Sequence, residues 1–122
     1  MAQSYINICS IYSEMRKHDI ALNYAKMAVD ILDPEYERRY SQSGTNLDIE
    51  FASICASAFH NAAVEYEIAN EFSSSLIMYQ KAVKLSKIHL GINHPLTLKF
   101  QNNFQLVKQR IKENPSITNQ SA

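Results

Sequence analysis

The sequence predicts an all-α fold of antiparallel helical hairpins that repeat along the chain, with about two and a half repeats and five main helices. Three observations lead to this prediction. Apolar residues recur at helical spacing through most of the 122 residues. The chain has only two glycines and three prolines, far fewer than turn-rich β folds need. One segment near the start of the sequence also returns, in altered form, in its middle.

Five helical stretches follow one another, and the breaks between them set their limits. We predict helices at about 3–15, 19–32, 45–69, 72–90 and 94–112. The pair Asp33-Pro34 predicts the start of a further short helix, because proline fits the first helical position. The clearest loop that the sequence predicts is at residues 41–44. Thr45 and Asp48 have the spacing of a capping box, which predicts that the third helix begins there.

The internal repeat is clearest at polar and aromatic positions. Asn61 follows Asn7 at a spacing of 54, and Asn103 follows Asn61 at a spacing of 42. Tyr66 follows Tyr12 at the first of these spacings. Each unit is a helix, a turn and a second helix, and such a pair cannot bury its apolar face alone. We therefore expect the core to form by stacking, with small residues where helices approach closely, namely Ala21, Ala28, Ala63 and Ala82.

The second helix of each unit carries the pattern of a known family. Two stretches resemble the tetratricopeptide repeat: Ala21-Leu22-x-Tyr24-x-x-x-Ala28-Val29-x-Ile31 and Ser75-Leu76-x-x-Tyr79-x-Lys81-Ala82-Val83-x-Leu85. The spacing of 42 is similar to the kinesin light chain type of that repeat, as is the run Leu90-Gly91-x-x-His94-Pro95 followed by Asn102-Asn103. One departure is that Arg16 and Asn70 stand where the family's inter-helix turn usually has glycine.

The resemblance implies an α-solenoid domain over residues 1–113. We divide it into a first repeat at about 3–33, an extended loop and helix insertion at 34–55, a second repeat at about 56–90 and a partial third at about 94–112. Residues 114–122 are polar apart from one isoleucine, and we expect them to form a disordered tail.

The sequence argues against catalysis. Its histidines and cysteines do not occur at the spacing of a metal site, and no glycine-rich loop is present to hold a phosphate. We therefore expect no enzyme, no catalytic residue, no metal and no cofactor. Twelve Lys and Arg balance twelve Asp and Glu, which disfavours a nucleic-acid partner. Because neither a signal sequence nor a long apolar run is visible, we expect no membrane insertion and a cytoplasmic location, with the cytoskeleton as one site of association.

The resemblance also implies a concave groove lined by the first helix of each unit. In the family, a recurrent asparagine on that helix hydrogen-bonds the backbone of an extended peptide, and Asn7, Asn61 and Asn103 occupy the equivalent position here. We expect the chain to bind a peptide segment or a partner protein there, as an adaptor or scaffold. By the same register, the other expected binding residues are Gln3, Ser10, His60, Glu67, Asn102 and Arg110.

An alternative hypothesis makes the chain a fixed structural subunit, or a fragment, of a larger assembly such as a cytoskeletal or motor complex. Stacked repeats generally need about three units and polar caps to be stable alone. The fifth helix has no second-helix partner, so we expect it to leave apolar surface for an interface at Phe100, Phe104 and Ile111. A homodimer or a larger assembly would cover that surface.

Overall fold

Five α-helices joined by short turns form a stack in which each helix packs on the next. The computed structural model describes residues 1–113. Its helices are α1 (Ala2–Glu14), α2 (His18–Ser43), α3 (Ile49–Ile68), α4 (Phe72–His89) and α5 (Pro95–Glu113), with a short 3-10 helix at Gly44–Asn46. No strand occurs within the described range, and the predicted all-α fold of helical hairpins is confirmed.

The central helix of the stack is α3, because it packs against α1, α2 and α4 and also reaches α5 through side chains. Ten of its 20 residues are buried. Several of these are alanines, whose small side chains let neighbouring helices approach closely while the interior stays densely packed. The four alanines predicted at close approaches, Ala21, Ala28, Ala63 and Ala82, are each at most 1% exposed.

The turn between α1 and α2 and the turn between α3 and α4 are built alike. Arg16 and Asn70 adopt the left-handed conformation, with φ of 60° and 63°. In each turn the next residue donates its N–H to a carbonyl five residues earlier, at 2.9 Å, which is the Schellman pattern of a helix end. Arg16 and Asn70 have the same spacing as Asn7 and Asn61. The repeat seen in the sequence is therefore a repeat of backbone geometry as well.

The structure corrects the predicted break in the second helix. Helix α2 runs without interruption from His18 to Ser43, with Pro34 inside it. A proline removes one helical hydrogen bond, but Pro34 is exposed, so its ring projects towards solvent and is accommodated there. Glu35 then holds the following turn through ion pairs with Arg38 at 2.5 Å and Arg39 at 2.8 Å. The predicted helix start at Pro34 and the loop expected after it are therefore wrong.

The start of α3 also differs from the prediction. Asp48 is itself the N-cap, and its Oδ2 accepts a hydrogen bond from the N–H of Phe51 at 3.0 Å. Thr45 lies in the 3-10 turn that precedes it. The segment 34–55 is thus mostly helix, divided between α2 and α3. The division of the chain into repeats stays a prediction, and the expected disordered tail at 114–122 lies outside the described residues.

Replacing Arg16 by glycine should stabilise the protein. The left-handed conformation destabilises a residue with a Cβ by roughly 1–2 kcal/mol, and glycine avoids this cost. Part of the resulting stabilisation is offset by the greater freedom of glycine in the unfolded chain. We expect Arg16→Gly to raise the free energy of unfolding by about 0.5–1 kcal/mol in urea titrations. Arg16→Ala is the matched control and should give no gain. A lower stability of Arg16→Gly than of Arg16→Ala would contradict the strained conformation.

Candidate functional site

A cavity of about 240 Å³ opens between α1, α3 and α5, the first helices of the three predicted units. We call it the groove. Three of the predicted binding residues, Ser10, His60 and Asn61, lie in its wall. The complete lining is Cys9, Ser10, Ser13, Glu14, His60, Asn61, Val64, Glu65 and Lys99.

A buried carboxylate forms one wall of the groove. Glu65 is 2% exposed, and its Oε2 accepts a hydrogen bond from the Ser13 hydroxyl at 3.0 Å. Its Oε1 lies 2.8 Å from Nδ1 of His18, so one side chain of α3 joins α1 to the first turn of α2. The sequence pattern did not predict this role of Glu65. The available signal was a charged residue directly after the apolar run 62–64, because a buried carboxylate needs partners.

His60 is a packing residue rather than a free groove side chain. It is 6% exposed, and its ring stacks on Phe100 with centroids 4.5 Å apart. Its Nε2 lies 2.9 Å from the amide nitrogen of Asn103. Burial, reinforced by the positive charge of Lys99, lowers the pKa of His60 from 6.5 to about 4. The imidazole is therefore neutral at pH 7 and accepts the hydrogen bond from Asn103.

The three asparagines of the predicted ladder occupy three different environments. Asn7 is exposed on α1 and accepts a hydrogen bond from Nε2 of Gln3 at 3.0 Å, outside the groove lining. Asn103 is engaged by His60 between α3 and α5. Asn61 alone of the three lines the groove, where it is half-buried and makes no side-chain hydrogen bond within residues 1–113. The structure thus separates residues that the sequence register treats as equivalent.

Two further predicted binding residues pair with each other across α3 and α5. Glu67 and Arg110 form an ion pair, and the Tyr79 hydroxyl donates to Oε1 of Glu67 at 2.9 Å. Burial, together with this carboxylate, raises the pKa of Tyr79. Glu67 and Arg110 are absent from the groove lining, and so is Asn102, which is exposed on α5. This polar cluster holds the C-terminal half of α5 on the stack.

The apolar residues that α5 buries and those that it exposes differ from the prediction. Phe100 is 2% exposed and packed in the core, so the expectation that it offers uncovered apolar surface is wrong. Phe104 and Ile111 are partly buried against a cluster that includes Tyr79. The spacing of Phe100, Phe104 and Ile111 places all three side chains on the inward side of the helix. The apolar residues that α5 exposes are instead Leu98 and Leu106.

A second cavity, of about 390 Å³, lies between α2 and α4 and was not predicted. Along it, Lys81 bonds Asp33 at 2.7 Å. The Tyr36 hydroxyl lies 2.9 Å from Nε2 of His89, and burial lowers the pKa of that histidine. These contacts fasten the C-terminal half of α2, which the sequence predicts as a separate short helix, onto α4.

Both cysteines are buried thiols. Burial, and secondarily the charge of Glu65, raises the pKa of Cys9 to about 11. Burial likewise raises the pKa of Cys55 to about 12. Both sulfurs are therefore protonated at neutral pH, which is unfavourable for nucleophilic attack. Within residues 1–113, no group of three or more His, Cys, Asp or Glu could bind a metal ion, and no helix is sufficiently long and apolar to span a membrane.

The stack of helical hairpins and its groove define the class as a helical-repeat protein. Residues 55–96 match the family model of the tetratricopeptide repeat. The matched segment runs from α3 through α4 to the start of α5 and includes Asn61 and Glu65. The match supports a tetratricopeptide repeat protein, as the resemblance implied. Comparisons with curated proteins and with solved structures found no match. The kinesin light chain subtype stays a prediction.

The buried His60 should make stability pH-dependent. Its pKa is lower when folded, about 4, than when unfolded, 6.5, so the unfolded chain takes up the proton first. The free energy of unfolding should therefore fall as the pH drops from about 6.5 to about 4, by on the order of 3 kcal/mol, and this contribution should level off below pH 4.

His60→Gln isolates this contribution, because glutamine keeps an acceptor for Asn103 and does not titrate. Urea titrations of both proteins across the pH range measure the difference between them. We expect the wild type to lose stability more steeply than His60→Gln between pH 6.5 and 4. Parallel curves would contradict a neutral, buried His60.

Proposed function

We propose that the chain is a non-enzymatic protein–protein interaction module that binds an extended peptide segment in the groove between α1, α3 and α5, as an adaptor or scaffold. The tetratricopeptide match supports a protein partner. The observation that carries the proposal is Asn61, a half-buried amide in the groove wall without a side-chain partner among residues 1–113.

An asparagine amide suits a peptide ligand because it offers both a donor and an acceptor to one peptide group. Such a contact binds the backbone of the peptide and does not depend on the side chains of the peptide. Asn7 and Gln3, one turn apart on α1, retain free hydrogen-bonding capacity and extend the same surface towards the start of the helix. Asn103 contributes indirectly, since its bond to His60 sets the position of α5. We therefore assign backbone contact to Asn61 first and to Asn7 second.

The charges of the groove favour a mixed polar and apolar segment. Glu14 and Glu65 lie in its wall, and Lys99 is the one cation of the lining. A double basic clamp for a terminal carboxylate is therefore not formed by these residues, because a single exposed lysine binds a carboxylate only weakly. Val64 and Cys9 provide the apolar part of the wall. An internal stretch of a partner chain fits this chemistry better than a charged terminus.

A second candidate function is a structural subunit of a larger assembly, including a cytoskeletal or motor complex in the cytoplasm. Its support is the exposure of Leu98 and Leu106 on α5, at 52% and 56%. Large exposed apolar side chains on one helix are typical of an interface. The two candidates depend on different residues, Asn61 for the groove and Leu106 for the interface.

A peptide selected against the wild-type chain from a phage-displayed random library provides a probe of defined sequence. We expect Asn61→Ala to weaken its binding about tenfold in fluorescence anisotropy, since two hydrogen bonds are lost in a half-buried site. Asn102→Ala is the matched control, because Asn102 is exposed on α5 outside the groove. Its affinity should equal that of the wild type.

Circular dichroism of both variants checks that the helices remain intact. Equal affinities for the wild type, Asn61→Ala and Asn102→Ala would contradict the groove as the binding surface. If Leu106→Glu abolished binding of the same peptide while Asn61→Ala had no effect, the interface on α5 would be the working surface instead.

A further inference from the structure

The groove carries opposite charges in different parts of its wall. Glu14 and Glu65 are the acids of its lining, and Lys99 is its cation. Burial, and then the charge of Lys99, lower the pKa of His60. In the same way, burial and then the charge of Glu65 raise the pKa of Cys9. Both affected side chains line the groove, so its interior experiences a positive field near Lys99 and a negative field near Glu65.

The register of the helices separates these charges along the groove. The polar side-chain contacts that join α3 to α5 are His60 with Asn103 and Glu67 with Arg110. Each contact joins residues 43 positions apart, so α3 and α5 run in the same direction. The same spacing puts Lys99 of α5 level with residue 56 of α3, before Asn61 and Glu65. At 1.5 Å of rise per residue, Lys99 and Glu65 are therefore attached to the backbone about 14 Å apart along the helix axes, with Asn61 between them.

Glu14 lies at the same end of the groove as Glu65. The Ser13 hydroxyl donates to Oε2 of Glu65 at 3.0 Å, and Glu14 is the next residue and the last of α1. Glu65 is buried and already bonded to Ser13 and His18, so Glu14 is the acid available to a ligand. Glu14 and Lys99 are both exposed, and neither forms an ion pair within residues 1–113. The other cations near the acidic end lie outside the lining, namely Arg16, Lys17 and Arg110.

We propose that the groove selects an internal peptide segment with a basic side chain that pairs with Glu14 and an acidic side chain that pairs with Lys99. This inference rests on the proposed function, because Asn61 binds the backbone between the two charged residues. An extended chain advances about 3.3 Å per residue, so a separation of about 14 Å corresponds to about four residues. Residues four apart lie on the same side of an extended strand, so both charged side chains can face the groove wall.

Selection from a phage-displayed random peptide library tests the order of the charges. Because a peptide backbone has a direction, we expect peptides selected on the wild type to carry a basic and an acidic residue about four positions apart in one preferred order. On the double variant Glu14→Lys/Lys99→Glu, we expect the opposite order. The two reversals keep the net charge of the chain. Both are compatible with folding, because they place a cation at the end of α1 and an acid near the start of α5.

Fluorescence anisotropy then measures each ion pair with one selected peptide that carries both charges and has blocked termini. We expect Glu14→Gln and Lys99→Gln each to weaken its binding about two- to fivefold, the range of an exposed ion pair. Replacing the basic residue of the peptide by glutamine should cause a similar loss on the wild type and little further loss on Glu14→Gln. The matched control is Asp30→Lys/Lys87→Glu, which reverses one exposed acid and one exposed lysine outside the groove and should bind like the wild type.

The outcomes separate this inference from the proposed function. Selected peptides that need Asn61 but carry no such pair of charges would overturn the charge selection and leave the peptide groove in place. The same conclusion would follow from an unchanged charge order on Glu14→Lys/Lys99→Glu, or from an equal change in the control. A library that yields no peptide, or peptides that bind Asn61→Ala as tightly as the wild type, would overturn the groove and this inference together. Circular dichroism checks that each variant is folded.

Discussion

The rest of the structure depends on the burial of α3 by four neighbouring helices. A helical hairpin exposes one apolar face until another helix covers it, and α3 is the element that covers α1 and α2 on one side and α4 and α5 on the other. Its alanines permit this close approach, while Phe59 and His60 fill the space between units. The buried Glu65 fixes the relative positions of α1, α2 and α3, because its carboxylate forms hydrogen bonds with both Ser13 and His18.

The same packing explains how little of the groove is free to bind. Most polar groups on the inner surface already form hydrogen bonds or ion pairs between helices. Glu65 of α3 bonds α1 and α2, and His60 and Glu67 of α3 bond Asn103 and Arg110 of α5. Asn61 lies on α3 between these contacts and takes part in none of them. A ligand that satisfies this amide would replace water at one site without disturbing the bonds that build the stack.

Much of the fold could be predicted, because helical periodicity and a spaced repeat are local signals, and the left-handed turns at Arg16 and Asn70 fall where that repeat puts them. The uninterrupted passage of α2 through Pro34 was not predicted, because the signal of a proline at a helix start is local, while the contacts that hold this part of α2 on α4, from Tyr36 to His89 and from Asp33 to Lys81, join residues distant in the sequence. Register placed three asparagines on one surface but could not reveal that Asn103 is bonded to His60. Likewise, the burial of Phe100 follows from a ring on another helix.

Residue-resolved hydrogen exchange tests the central position of α3 most directly. If α3 is the helix on which the others are assembled, the amides of its middle turns, around Ala58 to Ala62, exchange only through global unfolding and are the slowest in the protein. Amides of α1 and α5, each covered on one side, should exchange through partial opening at lower free energy. Protection in α3 that is equal to or lower than that of α1 or α5 would contradict this account.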